Sequence, residues 1–321
     1  MDKMWLQYPE LRGEIEAVQN IMKKSIRCRD KRIEGSLIEL LNSSGKMLRP
    51  AFTLISSHFG NYSEDKARSL AAVMELLHMA TLVHDDIVDD SKLRRGQETV
   101  QSKYGKDYAV YIGDFLFCVC FKLLAENSSL EAIKIDGKSM SRICIGEVEQ
   151  LNSRFNHKTT VKEYLARISG KTAELFSLSL YIGAAESGCS YRDSRIFWNI
   201  GHNIGMAFQI IDDILDYSGS DEAIGKPAAN DLSQGIFTLP LIYALRNDDG
   251  KLLKLVKQDS FNKEDIHRII SLVQEKGGVK KAQELAVRYT EKAFTLIEKL
   301  PNNPYKIILK DIANKLLIRE Y

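Results

Sequence analysis

A helix interior tolerates proline less than any other residue, and this 321-residue chain has six of them. They stand at Pro9, Pro50, Pro227, Pro240, Pro301 and Pro304, so the interval from Pro50 to Pro227 holds no obligate breaker. Inside the proline-free intervals, apolar residues recur at helical spacing. Val279, Ala282, Leu285, Ala286, Tyr289, Ala293, Leu296, Ile297 and Leu300 follow the i, i+3, i+4 rule and stop at Pro301. Similar patterns cover roughly residues 10–30, 64–90, 106–126, 129–154, 171–187 and 191–218. Alternating strand patterns are missing. Asp249-Gly250, the one hairpin-type pair, sits between two helical patterns. The chain is predicted to be all-α, with ten or more helices.

No Ser/Gly/Pro-rich linker divides the chain, and the loops are short and polar, which predicts one large helical domain over residues 1–321. Segments 71–88 and 204–215 are apolar on more than one face, as suits helices central to a bundle. Lys plus Arg exceed Asp plus Glu by 45 to 43, a balance that argues against a nucleic-acid binder. The longest greasy stretch, Ala71 to Val83, is interrupted by Glu75 and His78, so no transmembrane segment is expected. Met1-Asp2-Lys3-Met4-Trp5 lacks a signal pattern. Five cysteines without metal-type spacing predict buried thiols in a reducing, cytoplasmic setting.

One short pattern occurs twice. Val83-His84-Asp85-Asp86-Ile87-Val88-Asp89 resembles Ile210-Ile211-Asp212-Asp213-Ile214-Leu215-Asp216. Each ends a long apolar helix pattern. Residues at i and i+4 share a helix face about 6 Å apart along the axis, so Asp85 pairs with Asp89 and Asp212 with Asp216. A solvated acidic face is the usual meaning of such a cluster. Here Met79, Leu82, Ile87, Ile210, Ile211 and Ile214 surround the carboxylates, and no Lys or Arg stands at i±4. Carboxylates among apolar neighbours need compensating charge. A hard divalent cation supplies it, and all-oxygen ligands favour Mg²⁺ shared with substrate phosphates. Cations that could meet those phosphates lie nearby in sequence: Lys46 and Arg49, Arg94 and Arg95, Lys171, and Lys226. Gly170-Lys171-Thr172 reads as a helix start whose amides and Thr172 hydroxyl could hold a phosphate oxygen.

Taken together, these motifs resemble those of the trans-isoprenyl (polyprenyl) diphosphate synthases over nearly the whole chain. The resemblance runs through Gly45-Lys46-x-x-Arg49-Pro50, His78, Asp85-Asp86-x-x-Asp89 with Arg94-Arg95-Gly96, and Gly113-Asp114. It continues with Gly146-Glu147-x-x-Gln150, Lys171-Thr172-Ala173, Gln209-x-x-Asp212-Asp213-x-x-Asp216, Gly225-Lys226-Pro227, Asn230-Asp231-Leu232 and Thr238-Leu239-Pro240. It implies a helical bundle around a central cavity, usually a dimer, and head-to-tail condensation of isopentenyl diphosphate with an allylic diphosphate. By position, Asp85 and Asp89 would bind Mg²⁺ with Asp86 in support. Asp212 would bind a third ion, with Asp213 and Asp216 completing the motif. Arg94, Lys171, Thr172, Gln209 and Lys226 would hold the allylic diphosphate, and Lys46, Arg49, His78 and Arg95 isopentenyl diphosphate. On its own, a histidine such as His78 in an apolar helix is more often a satisfied core residue.

Growth of an apolar product needs an apolar lining. Thr81 and Ala80, then Leu77, then Met74 step back along the helix from Asp85. Short-chain members of the family carry aromatics at the first of these steps. Ala80 and Thr81 are small, so a long product is expected, hexaprenyl to decaprenyl, for a quinone side chain. Ser44, Met47, Glu98 and Ile236 depart from the family pattern. Ile236 replaces a common Lys, a change shared with large subunits of two-component synthases. A homodimer is expected first, and a heterodimer with a small subunit second. A class I terpene cyclase would leave Lys46, Arg49 and His78 unexplained. A catalytically dead helical partner should have lost aspartates, yet both motifs are complete.

Overall fold

The computed structural model describes residues 2–42, 45–217, 230–258 and 260–317, and these are nearly all helical. In chain order the helices are α1 (Pro9–Ser25), α2 (Lys31–Asn42), α3 (Leu48–Ser57), α4 (Glu64–Val88), α5 (Val100–Tyr104), α6 (Lys106–Asn127), α7 (Leu130–Asn152) and α8 (Val161–Ile168). They continue with α9 (Glu174–Glu186), α10 (Tyr191–Leu215), α11 (Asn230–Ser233), α12 (Leu239–Arg246), α13 (Lys251–Val256), α14 (Lys263–Glu275), α15 (Gly278–Glu298) and α16 (Pro304–Leu317). Prolines fall where the physics permits them. Pro9 and Pro240 occupy the first turns of α1 and α12, where a missing N–H costs nothing. Capping boxes open α8 (Thr160 with Glu163) and α14 (Asn262 with Asp265).

The chain divides into two compact units. The first comprises Met1–Gly137, Leu178–Phe197 and Pro301–Ile308; the second comprises Lys138–Ser177, Trp198–Leu300 and Leu309–Tyr321. In the first, α4 is buried on nearly every side from Leu70 to Ala80, as its all-round apolarity requires. Helix α6 runs antiparallel to it. The Cys120 thiol lies 3.9 Å from the Val73 carbonyl, and about 16 Å further along α4, by the helical rise, His84 meets Val110 and Gly113. Gly113 allows this close approach, because a Cβ there would displace the His84 ring. At the N-terminus, Trp5 is fully buried and donates its indole N–H to the Lys46 carbonyl at 2.8 Å, pinning the loop before α3. His58 is stacked between Tyr62 and Tyr305, with ring centroids 3.8 and 3.7 Å away, and contacts Glu14 on α1.

In the second unit, Leu241, Leu252, Val256, Ile269, Ile270 and Val273 form a core shared by α12, α13 and α14. Small residues let its backbones approach. A Cβ at Gly146 would crowd the Lys171 amide, and one at Gly201 would overlap the Phe176 carbonyl and Ser177 Cα. Between α8 and α9 the chain continues as a π turn, Ser169–Ala173, a feature that recurs at functional sites.

Two expectations need correction. The structure contains a β-ribbon, β1 (Leu93–Arg94) against β2 (Gln97–Glu98), joined through Arg95 and Gly96, both at positive φ (51° and 78°). Two residues per strand are too few to show an alternating pattern. Among the cysteines only Cys120 is buried, while Cys118 and Cys144 are exposed because they sit on the outward faces of α6 and α7. Helix α6 is long and apolar enough, by length and composition alone, to cross a membrane. Its inner face, with Ala109, Ile112, Leu116, Cys120 and Leu124 buried, packs on α4 as a core helix does.

Overpacking a tight crossing costs about 1–3 kcal/mol. Gly201→Val is therefore expected to lower the thermal midpoint by several degrees. Gly13→Ala, in α1 with nothing within 4 Å of the new methyl, should raise it slightly. Thermal unfolding followed by circular dichroism checks both signs.

Candidate active site

Within the first unit lies a cavity of about 430 Å³, bordered by Gly45, Glu75, His78, Asp86, Arg94 and Arg95. Its cations are set by backbone geometry. Arg95 stands in the left-handed region at the tip of the β1–β2 turn, a conformation non-glycine residues rarely adopt and one that marks functional sites. Gly45 packs against the Arg95 guanidinium so closely that a Cβ would displace it. Arg49, in the first turn of α3, does not border the cavity but lies within electrostatic reach of Glu75, Arg95 and His78. Burial, opposed by Glu75 and helped by Arg95, lowers the Arg49 guanidinium to about 10. His78 is held well below its ordinary value by burial and then by Arg49, Arg95 and Arg94, so it is a neutral imidazole at pH 7. Lys46 is exposed beside Gly45.

The first acidic motif closes α4, with Asp89 as the C-cap. Asp85 and Asp89 are half-buried, whereas Asp86 turns inward to 5% exposure. There it receives Arg94 through Nη2 at 2.7 Å and Nε at 2.9 Å. Burial still raises the Asp86 carboxyl above its usual range, against the pull of Arg94.

The second unit repeats this division of labour with different partners. Asp212 is exposed and Asp216, just past α10, is half-buried, while Asp213 is 4% exposed. Tyr164 donates to Asp213 Oδ2 at 2.6 Å, and Gln209 Nε2 donates to Oδ1 at 2.7 Å. Gln209 in turn accepts from the Thr172 hydroxyl at 2.7 Å. Tyr164 is flanked by Arg167, whose guanidinium bonds Ser153 Oγ and the Phe237 carbonyl. Despite two donors, burial and then Asp231 push Asp213 up to about 7. Asp216 rises to about 8 through burial and then Asp231, Asp213 and Asp212.

Placement changes several expectations. Lys171 and Thr172 do not open a helix. They lie inside the π turn, where the Glu174 amide already bonds the Ser169 carbonyl, so that backbone is engaged within the helix. Lys171 Nζ pairs with Glu147 at 2.7 Å. Arg94 holds Asp86. Lys226, with Gly225 and Pro227, lies outside the described residues, as does Ser44. Ile236 is buried at 4% exposure. Tyr164, Arg167 and Glu75 carried no sequence signal as site residues. Glu75 registered only as an interruption of an apolar run, and Tyr164 lies seven residues before Lys171, two turns back along one face.

The acidic clusters fit divalent cations. Each lies at a helix C-terminus, the negative end of the macrodipole, with no basic residue in the last turn of α4 or α10. Among the described residues, no three His, Cys, Asp or Glu side chains converge on one point. The protein would thus supply one or two carboxylates per ion, which suits Mg²⁺ completed by phosphate and water oxygens.

The sequence pattern of the polyprenyl synthetases matches residues 30–273. The chain belongs to the polyprenyl synthetase family. This polyprenyl synthetase is a trans-prenyltransferase, a polyprenyl diphosphate synthase. It is 34% identical over 320 residues to heptaprenyl diphosphate synthase component 2 of Geobacillus stearothermophilus, covering 99% of this chain and 100% of that one. The solved geranylgeranyl pyrophosphate synthase of Lactobacillus brevis ATCC 367 superposes with a TM-score of 0.94 at 36% identity, covering 99% of each chain. The polyprenyl synthase of Caulobacter crescentus CB15, solved with calcium and isoprenyl diphosphate, superposes at 0.88 and 30% identity, covering 96% of this chain and 95% of that one.

The raised carboxyls set a pH dependence for the metal-free polyprenyl synthetase. Asp213 and Asp216 titrate near 7 and 8 in the fold, above about 4 unfolded, so the folded state binds more protons between these values. Stability should therefore fall as pH rises from about 4 to about 8. Asp216→Asn should flatten that slope, and Mg²⁺ should stabilise the wild type on the alkaline side while doing little at acid pH. Thermal midpoints measured across pH test this; an unchanged slope in the variant would refute it.

Proposed function

We propose that this chain extends an allylic diphosphate by repeated addition of isopentenyl diphosphate, yielding a long all-trans product, hexaprenyl to decaprenyl, for a quinone side chain. One observation carries the reading: two acidic motifs at helix C-termini, each with its middle aspartate anchored inward, accompanied by a cavity bordered by Arg94 and Arg95. In this reading Asp85, Asp89 and Asp212 hold Mg²⁺, with Asp216 alongside. Bound Mg²⁺ stabilises the negative charge that develops on the departing diphosphate. Lys46, Arg49, His78 and Arg95 hold isopentenyl diphosphate. Arg94, Lys171, Thr172, Gln209 and Lys226 act on the allylic diphosphate, Arg94 and Gln209 through the aspartates they orient. The allylic C–O bond breaks with both electrons leaving on oxygen. The alkene of isopentenyl diphosphate attacks the cation, and the released diphosphate takes the proton whose loss restores a double bond.

A second reading concerns assembly. The heptaprenyl synthase relatives from Geobacillus stearothermophilus and Bacillus subtilis are each designated component 2. The buried Ile236 stands where a lysine is common. Both favour a chain that works with a dissimilar partner over a homodimer. The partner's surface would have an apolar face to meet, since Val110, Tyr111 and Phe121 are exposed along one side of α6.

Mg²⁺-dependent diphosphate release from farnesyl plus isopentenyl diphosphate tests the function. Release with both substrates supports a synthase, release with farnesyl diphosphate alone means a cyclase, and activity gained only with a component 1-type chain supports the second reading. Reversed-phase chromatography reads the product, and a farnesyl or geranylgeranyl end product would overturn the long-chain proposal. The structure also ranks two variants. Thr81 lies within about 40° of Asp85 around α4 and is half-buried, whereas Ala80 is wholly buried and about 140° away. Thr81→Phe should shorten the product, while Ala80→Phe should chiefly cost stability, by about 1–3 kcal/mol.

A further inference from the structure

Glu75 is a buried acid that the reaction described above does not use. It borders the first-unit cavity from α4 at 4% exposure. The other acids there are accounted for. Asp86 is ion-paired with Arg94, Glu39 of α2 with Lys103 of α5 at 2.7 Å, and Glu98 is exposed. Among the described residues, no ion pair within 4.0 Å includes Glu75. It instead acts through space on Arg49 of α3 and Arg95 of the β1–β2 turn. His78, one turn along α4, is neutral and adds no charge.

We infer that Glu75 is the cavity's resident counter-charge, offsetting Arg49 and Arg95 when no anion is bound, and that a bound diphosphate drives a proton onto it. The inference rests on reading this cavity as the isopentenyl diphosphate site. The desolvated Arg49 guanidinium is repelled by Arg95, and a carboxylate within reach of both lowers that cost. A diphosphate brings two or more negative charges to the same guanidiniums. It makes Glu75 redundant as a counter-ion and repels it as a like charge. Burial raises the Glu75 carboxyl despite both arginines, and an added anion acts on it in the same direction. The proton comes from solvent and goes to a carboxylate oxygen; no substrate bond changes. Protonated Glu75 is then a hydrogen-bond donor in a cavity that holds an anion. Substrate binding thereby becomes linked to pH, and anions carrying less charge than a diphosphate displace the carboxylate poorly.

Isothermal titration of the full chain with isopentenyl diphosphate alone, in buffers of different protonation enthalpy on both sides of neutrality, reads the proton count. Wild type is expected to take up more protons than Glu75→Gln, with the difference approaching about one per site. Wild-type affinity should fall with rising pH by up to about tenfold per unit more steeply than that of the variant. Equal proton counts and equal slopes would overturn the inference. Infrared difference spectra of the wild type give a readout independent of the variant's folding. A protonated-carboxyl band appearing on ligand binding supports the inference, and its absence in wild type refutes it. Arg95→Ala separates the two layers. Unchanged binding there sinks the cavity assignment itself, whereas binding lost in Arg95→Ala with an unchanged proton count in Glu75→Gln sinks only the role of Glu75.

Discussion

Negative charge is placed in this protein where folding most opposes it. Three aspartates close α4 and three close α10, at the end of each helix where the carbonyl dipoles are already negative. Asp86, Asp213 and Asp216 are also desolvated, which adds to the penalty. Asp213 near 7 and Asp216 near 8 show how little the protein's own groups compensate. A chain selected for stability alone would put lysines there. Retaining carboxylates makes sense when the compensating charge is a cation that arrives with the anionic substrate, and much of the neighbouring structure serves to keep those carboxylates poised for it.

The device is the same in both motifs. The second aspartate of each is buried and fixed by a donor from another element of its own unit, Arg94 for Asp86 and Tyr164 for Asp213, the latter joined by Gln209 one turn back on α10. That fixes the rotation of the helix end, and therefore where the first and last aspartates point. Anchors differ because local resources differ. The β1–β2 turn brings an arginine to Asp86, whereas the π turn sets Thr172 against Gln209, with Tyr164 one element earlier. A guanidinium neutralises its carboxylate; a phenol and an amide only solvate theirs. Both middle aspartates are nonetheless raised by burial, so neither anchor fully offsets desolvation.

How much of this was legible beforehand follows from the range of the forces involved. Helix α4 was expected at 64–90 and spans Glu64–Val88, because apolar spacing and proline are local signals. The acidic pairs were legible for the same reason, since i and i+4 are fixed by helix geometry. Of the two partners of Asp213, Gln209 lies one turn back on the same helix, but Tyr164 was not legible, because it is 49 residues away and only tertiary packing unites the two. The π turn was misread as a helix start. Gly170 resembles a breaker in sequence, but its lack of a side chain serves close approach to the Arg142 carbonyl. The ribbon at Arg94–Gln97 has no periodicity to detect, yet it sets both arginines. Cys118 and Cys144 lie exposed on α6 and α7 although cysteine is usually buried, because a residue-type preference carries no information about which face of a helix is covered.

Chain length shows where family membership stops being informative. Relatives at similar identity include a heptaprenyl and a geranylgeranyl synthase, so overall similarity does not rank the products. What distinguishes them must be a few side chains, and helix geometry limits the candidates. From Asp85, steps of four, seven and eleven residues back stay within about 40° of one line, which selects Thr81, His78 and Met74. His78 is committed to the cavity with Arg95, and Met74 is fully buried. Thr81 alone of the three is both partly exposed and small. Its hydroxyl is turned back onto the His78 carbonyl at 2.8 Å, so the face it presents is a methyl group. A polar residue in the sequence thus contributes an apolar surface in the fold, the kind a growing hydrocarbon requires.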